Sequence, residues 1–110
     1  MKIIYNNIIP FKGFAALTFF PFIFARVKPL SDKTIRHEQI HGEQQKEMLL
    51  VFFYLWYGIE WLCKCIYYRN AHMAYKNISF EREAYNNADK LLYIEDRRHF
   101  AWFKYINHNI

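Results

Sequence analysis

From Met48 to Tyr68 the chain reads MLLVFFYLWYGIEWLCKCIYY, an apolar run of about the length that crosses a bilayer, interrupted by Glu60 and Lys64. Its charge-free part ends at Ile59, so a clean single-pass span is not what the pattern describes. Glu60 and Lys64 stand at i and i+4 on one helical face, where they can pair. Trp56, Tyr57, Trp61, Tyr67 and Tyr68 supply the amphipathic rings that gather at membrane interfaces. Two settings accept such a helix: in or dipping into a membrane surface, or in the core of a soluble domain. The chain has 110 residues, enough for one domain with one modest core, and 21% of them are aromatic. That is more than a domain this small hides, so part of the aromatic surface should face lipid or a partner.

Hydrophobic residues make up 54% of the chain, with only 3 Gly and 3 Pro, which excludes disordered, collagen-like and turn-dense all-β classes. The 15 Lys+Arg against 10 Asp+Glu give a net charge of +5. These cations are scattered, with Arg97-Arg98 the only adjacent pair and no basic stripe at helical spacing, so nucleic acid is not an expected partner. A weakly basic surface suits anionic lipid head groups better. Cys63 and Cys65 lie on different faces of any helix there and have no second pair, so the expectation is two buried reduced thiols.

The stretch Gly13 to Ala25, GFAALTFFPFIFA, imitates a signal peptide but is broken by Pro21 and lacks a convincing small-residue cleavage site. Its aromatic and β-branched runs predict two short extended segments instead, Phe14 to Phe20 and Phe22 to Val27, with Pro21 at a bend or an edge. With no disulfide framework and no such cleavage site, the expected compartment is the cytoplasm, with association at the inner membrane left open.

The rest reads as helical. Pro29-Leu30-Ser31-Asp32 is a start signal, with Ser31 as N-cap and Leu30 and Ile35 as a hydrophobic staple, and nothing breaks the helix before Gly58. Asn77 or Ser79 offers a second start, with Glu81 and Glu83 in the first turn, where the helix dipole favours acids. Glu95 to Ile106 continues the helical pattern.

The chemistry lies in the first of these helices. His37-Glu38-Gln39-Ile40-His41 is H-E-x-x-H, which sets two imidazoles one turn apart on the same face and a carboxylate beside the first. Two nitrogens at about 2.0–2.1 Å share one zinc ion only if their side chains project in parallel, and i, i+4 on a helix provides that. Glu38, one position round, reaches a metal-bound water rather than the metal, the position of a general base. Glu81, in Phe80-Glu81-Arg82-Glu83-Ala84-Tyr85, is the candidate third ligand, completing a His₂Glu set with one position open for water. His72, His99 and His108 read as ordinary structural or surface histidines, with His99 the least settled, and Trp56, Trp61 and Trp102 as core or interface residues.

The segment HEQIHGEQQ, His37 to Gln45, resembles the HExxHxxQQ helix of gluzincin-type zinc metallopeptidases and their small bacterial relatives. FEREAY is similar to the helix by which those families supply a third ligand, and IPFKGF, IFAR and YIEDRRHFAWFKY extend the likeness over most of the chain. The resemblance implies that His37, His41 and Glu81 bind Zn2+ and that Glu38 is the catalytic base. It also implies a mainly helical α+β, zincin-like minimal domain spanning 1–110: a short N-terminal β-ribbon, the HExxH helix, an apolar helix and a C-terminal helical pair. Many relatives carry Asp four residues after the glutamate ligand to orient a histidine; Tyr85 stands there in this chain, leaving Glu83, Asn86 and Gln44 as candidates for that role. Candidates for stabilising the oxyanion are Tyr85, His99 and Arg98.

The expected function is therefore zinc-dependent hydrolysis of peptide bonds, with a peptide or protein as substrate. A strand in the IFAR segment, residues 22–27, is a candidate to pair with it. The alternative is a small membrane-associated or partner-binding protein whose zinc site is structural or inactive. A chain this short leaves little room for a walled cleft, so a membrane surface or self-association are candidate partners.

Overall fold

A computed structural model of the chain describes residues 2–9 and 14–106, so most of IPFKGF and all of His108 lie outside the described residues. The chain is α+β and mainly helical. Three short strands, β1 (Lys2–Tyr5), β2 (Ala16–Phe19) and β3 (Phe22–Ala25), form a sheet in the order β1-β3-β2. β1 runs parallel to β3 with Ile3 opposite Ile23, and β2 runs antiparallel to it with Leu17 opposite Phe24. The two extended segments expected on either side of Pro21 are thus β2 and β3, joined by a tight turn. Alternation along β3 turns Ile23 and Ala25 inward, where they bury against Leu30 with Ile3, Ala16 and Ile35 around them.

Helix α1 (Asp32–Glu47) begins as its sequence dictates. The Ser31 hydroxyl accepts from the Thr34 N–H at 3.1 Å, and Leu30 and Ile35 meet in the sheet-side core. Its end differs from the expectation of an unbroken helix to Gly58. The chain turns through 111° at residues 48–50, with Leu49 and Leu50 at φ 55° and 43°, and resumes as α2 (Val51–Tyr68). No glycine or proline marks this break; tertiary packing imposes it. The turn folds α2 back so that Phe53 is buried against Phe80, ring centroids 4.5 Å apart, and Tyr57 lies over the same core. Gly58 passes through mid-helix with open space around its missing side chain.

After Arg69, a left-handed C-cap, the Asn70 side chain accepts from the N–H groups of His72 and Met73 and starts α3 (Ala71–Lys76), a short helix that packs back on α2. The second expected start is at Ser79, where α4 (Ser79–Asn87) begins. Its N-cap, Ile78, has no side-chain acceptor. Glu60 serves in its place, taking the Ser79 N–H and the Ser79 hydroxyl at 2.6 Å each, along with Trp56 Nε1 at 3.0 Å and Lys64 Nζ at 2.8 Å. The expected Glu60–Lys64 pair therefore exists, but it is buried under α4.

The C-terminal part is less regular than a continuous helical stripe. α5 (Tyr93–Asp96) ends at Arg97, Phe100 is left-handed, and Ala101–Tyr105 forms a 3-10 turn. The Arg97 side chain is anchored on Glu47 and Glu83, and Trp102 is buried against Phe80 at 4.7 Å; both pull the chain out of helical register. The buried indole N–H of Trp102 has no partner among the described residues. Cys63 is exposed and Cys65 half-buried, correcting the expectation of two buried thiols. Among the described residues no single helix is long and apolar enough to cross a membrane.

Candidate metal centre

Helix α1 projects His37 and His41 from one face, one turn apart, and α4 crosses it with Glu81 in its first turn. The two Nε2 atoms lie 3.2 Å apart, and Glu81 Oε1 is 3.2 Å from His37 Nε2 and 3.1 Å from His41 Nε2. The three donors form a nearly equilateral triangle. Donors at about 2.0–2.1 Å from one tetrahedral zinc ion stand about 3.3–3.4 Å from one another, so this set fits the ion with shifts of tenths of an ångström. The donor chemistry fits equally: two imidazoles and a carboxylate, with a cavity rather than a fourth donor from the described residues on the remaining side.

Each donor is held from behind. His41 Nδ1–H donates to Gln44 Oε1 at 2.8 Å, which fixes the tautomer that turns Nε2 toward the other donors. Gln44 is in turn fixed by donating to the Phe80 carbonyl and to Glu83 Oε1, at 3.1 and 2.9 Å. Glu83, fully buried, receives Arg97 and the Tyr93 hydroxyl, and Arg97 also forks onto Glu47 at 3.1 and 2.7 Å. Of the three candidates for orienting a histidine, Gln44 is the one that bonds to His41, with Glu83 one bond behind it. Asn86 is exposed and bonds back to the Arg82 carbonyl. The second oxygen of Glu81 accepts from the Tyr57 hydroxyl at 2.6 Å.

Burial by itself would lower the His41 imidazole, but Glu81, with smaller help from Glu38 and Gln44, overrides it and raises the group to about 9. Burial likewise pushes the Glu81 carboxyl up, and the two histidines pull it well below the ordinary carboxylate range. A divalent cation would occupy the same negative field that holds a proton on His41.

Glu38 sits beside this cluster and lines the same cavity of about 250 Å³. Thr18 of β2 donates to Glu38 Oε1 at 2.6 Å and lies 3.0 Å from the Glu38 carbonyl oxygen, tying the carboxylate to the strand. The cavity wall is completed by Ala16 and Leu17 of β2 and by Phe53, Tyr54 and Tyr57 of α2. Arg26 N donates to the Ala15 carbonyl, so along the antiparallel pair Leu17 and Phe19 face β3, while the backbone groups of Ala16 and Thr18 face the open edge. The Thr18 carbonyl on that edge is held by Gln45 and Tyr54, at 2.8 and 2.7 Å. β3, bonded on both sides, has no free edge; the edge beside the cavity belongs to β2, which corrects the expectation placed on residues 22–27.

Tyr85, half-exposed, sets its ring against His37 at 4.6 Å, and its hydroxyl shares a hydrogen bond with that of Tyr75. His99, 89% exposed on its side chain, lies beside Glu47 and is not brought to the donors, nor is the exposed Arg98 among the residues lining the cavity. Thr18, Tyr57 and Tyr75 are site residues that no motif marks. Thr18 reaches Glu38 from 20 positions away and Tyr57 reaches Glu81 from 24 positions away only when the chain folds, and Tyr75 comes from a short helix whose start signal is Asn70. Comparison with known protein families, curated proteins and solved structures finds no match.

Proposed function

We propose that the chain is a zinc-dependent peptidase in which His37, His41 and Glu81 hold the metal and Glu38 is the general base. The observation that carries this reading is the convergence of three donor atoms within 3.1–3.2 Å at the wall of a cavity that Glu38 also lines. Bound zinc supplies Lewis-acid polarisation of a carbonyl and acidification of water. Glu38, anchored by Thr18, takes the proton of the attacking water and passes it to the leaving amine. The Ala16 backbone at the open edge of β2 offers main-chain hydrogen bonds to an extended peptide. A structural zinc site closes with four protein donors, whereas three converge here among the described residues, which favours the hydrolytic reading over an inert one.

The test is elemental analysis of the purified chain after zinc loading, followed by assay on an unstructured protein substrate. About one zinc per chain is expected, lost in His41→Ala and weakened in Glu81→Ala. Glu38→Gln should keep its zinc and lose hydrolysis by about 10²–10⁴-fold. No zinc in the parent chain refutes the metal centre; zinc with equal hydrolysis in Glu38→Gln refutes the assignment of the base.

A further inference from the structure

Helix α2 is inside out for a helix in water. Its two charged residues, Glu60 and Lys64, point inward and are buried. Its outward row is Val51, Phe52, Leu55, Ile59, Leu62 and Ile66, each between 55 and 79% exposed. At 1.5 Å per residue this row is a continuous apolar stripe about 22 Å long, not a scatter of single side chains. The segment after Arg97 widens it. Trp102 packs on Trp56, ring centroids 5.1 Å apart, and holds the exposed rings of Phe100 and Phe103 nearby.

The margins of this surface are of two kinds. Trp56 and Tyr67, both partly exposed, carry apolar rings with polar tips, the residues that settle at headgroup depth. Arg69 caps the C-terminal end of the stripe, and Arg98 and Lys104 flank Phe100 and Phe103; all three are exposed. Glu38, Glu47, Glu60, Glu81 and Glu83 have buried side chains, so half of the ten acids that balance the cations in the sequence are withdrawn from the surface.

We propose that the outward face of α2, together with Phe100 and Phe103, docks the chain in the headgroup boundary of an anionic bilayer. The stripe lies in the interface plane and the basic margin meets the lipid phosphates. Spanning is disfavoured because Glu60 is committed to the start of α4 and Lys64 to Glu60 and the end of α3, and because no single described helix is long and apolar enough. A symmetric contact with a second copy would set the same basic margin against itself, which a bilayer does not. The docking stands independently of the zinc reading. Joined to it, docking names a substrate class: since the inner face of α2 lines the cavity, the donors lie roughly one helix diameter, about 10–12 Å, from the membrane plane, within reach of peptide segments emerging from it.

The test is flotation of the full chain with vesicles of phosphatidylcholine alone and of phosphatidylcholine with one quarter phosphatidylglycerol. The variants are Leu55→Ser/Ile59→Ser/Leu62→Ser, Arg98→Gln/Lys104→Gln and His41→Ala. The parent is expected to float with the anionic vesicles, and less so with neutral ones or at high salt. The triple-serine variant, with unchanged far-UV circular dichroism, should partition at least about tenfold more weakly. His41→Ala should float like the parent, so that loss of zinc and loss of docking are read separately. Quenching of tryptophan fluorescence by lipids brominated near the head group gives a second readout on the parent alone. Absence of flotation and quenching with both vesicle types overturns the proposal, as does equal flotation of the triple-serine variant. A parent that ignores vesicles but sediments as a dimer, converted to a monomer by the serines, overturns it in favour of self-association.

Discussion

Glu60→Ala should be among the most damaging single changes in the chain, although Glu60 is no part of the donor set. Its carboxylate accepts from Lys64, Trp56 and both polar groups of Ser79, all at 2.6–3.0 Å, and Glu60 and Lys64 are 8 and 5% exposed. Removing it strands a buried ammonium and leaves the first turn of α4 without its acceptor. Breaking a buried pair from one side costs about 3–5 kcal/mol, and loss of a helix cap about 1 kcal/mol. Against a total stability of about 5–15 kcal/mol, the variant loses a large share of its margin. With a urea slope of about 2 kcal/mol/M, the midpoint followed by circular dichroism falls by about 2 M. Adding Lys64→Met removes the stranded charge and should restore about half of the loss, since the missing cap and the Asn77 carbonyl left without Lys64 Nζ remain. Because α4 carries Glu81 in its first turn, zinc affinity of the still-folded Glu60→Ala chain should also fall, by about tenfold. A loss below about 1 kcal/mol, or no recovery with Lys64→Met, refutes the claim that this pair is desolvated and caps α4.

Gln44→Leu takes away the acceptor for His41 Nδ1–H and should weaken zinc binding by about 10–100-fold in a competition titration while leaving the metal stoichiometry at one; unchanged affinity would remove Gln44 from the orienting role. Arg97→Met leaves Glu83 and Glu47 buried without their cation and should destabilise the chain by about 3–5 kcal/mol in urea unfolding, with recovery in Arg97→Met/Glu83→Gln. Burial, with Glu81 and Tyr85 for Tyr75 and Glu83 for Tyr93, pushes both tyrosine hydroxyls well above 10. The folded chain then keeps protons that the unfolded chain loses. Stability from this source is complete below pH 10 and falls above it, by less than the limiting ~1.4 kcal/mol per pH unit for each, since both hydroxyls are partly solvent-screened. Urea midpoints that stay level from pH 9.5 to 11 would contradict it.

The parts of this architecture that can be read from the sequence are those fixed by neighbours a few residues apart. Ser31 with Leu30 and Ile35, His37 with His41, and the aromatic segments either side of Pro21 each declare themselves locally, and each holds in the structure. Glu81 is legible because an acid in a first turn has a place once a His pair demands a third donor. The break at residues 48–50 is not legible: Leu49 and Leu50 are good helix formers, and only the burial of Phe53 against Phe80 reveals why the chain turns there. Gln44 could not be separated from Glu83 or Asn86 by spacing, because all three can approach the His pair; what decides is that Glu83 is neutralised by Arg97 and Asn86 turns back on its own helix.

The position of Glu60 and Lys64 explains why the apolar run resists classification by hydropathy. Read along the sequence, two charges near the end of such a run argue for a soluble core helix, since lipid excludes them. In the fold they argue the other way. The N-terminus of α4 exposes N–H groups that need an acceptor, and the Asn77 carbonyl that ends α3 needs a donor; Glu60 and Lys64 supply both from the inner face of α2. Once those charges are spent inward, together with the hydroxyl of Tyr57 on Glu81, nothing polar is left for the outer row between Val51 and Ile66 except at its aromatic margins. The same inward commitment that builds the helix carrying Glu81 therefore makes the outer face apolar. A change that moved a charge to that face would test docking without touching the metal centre, whereas a change at Glu60 would disturb both.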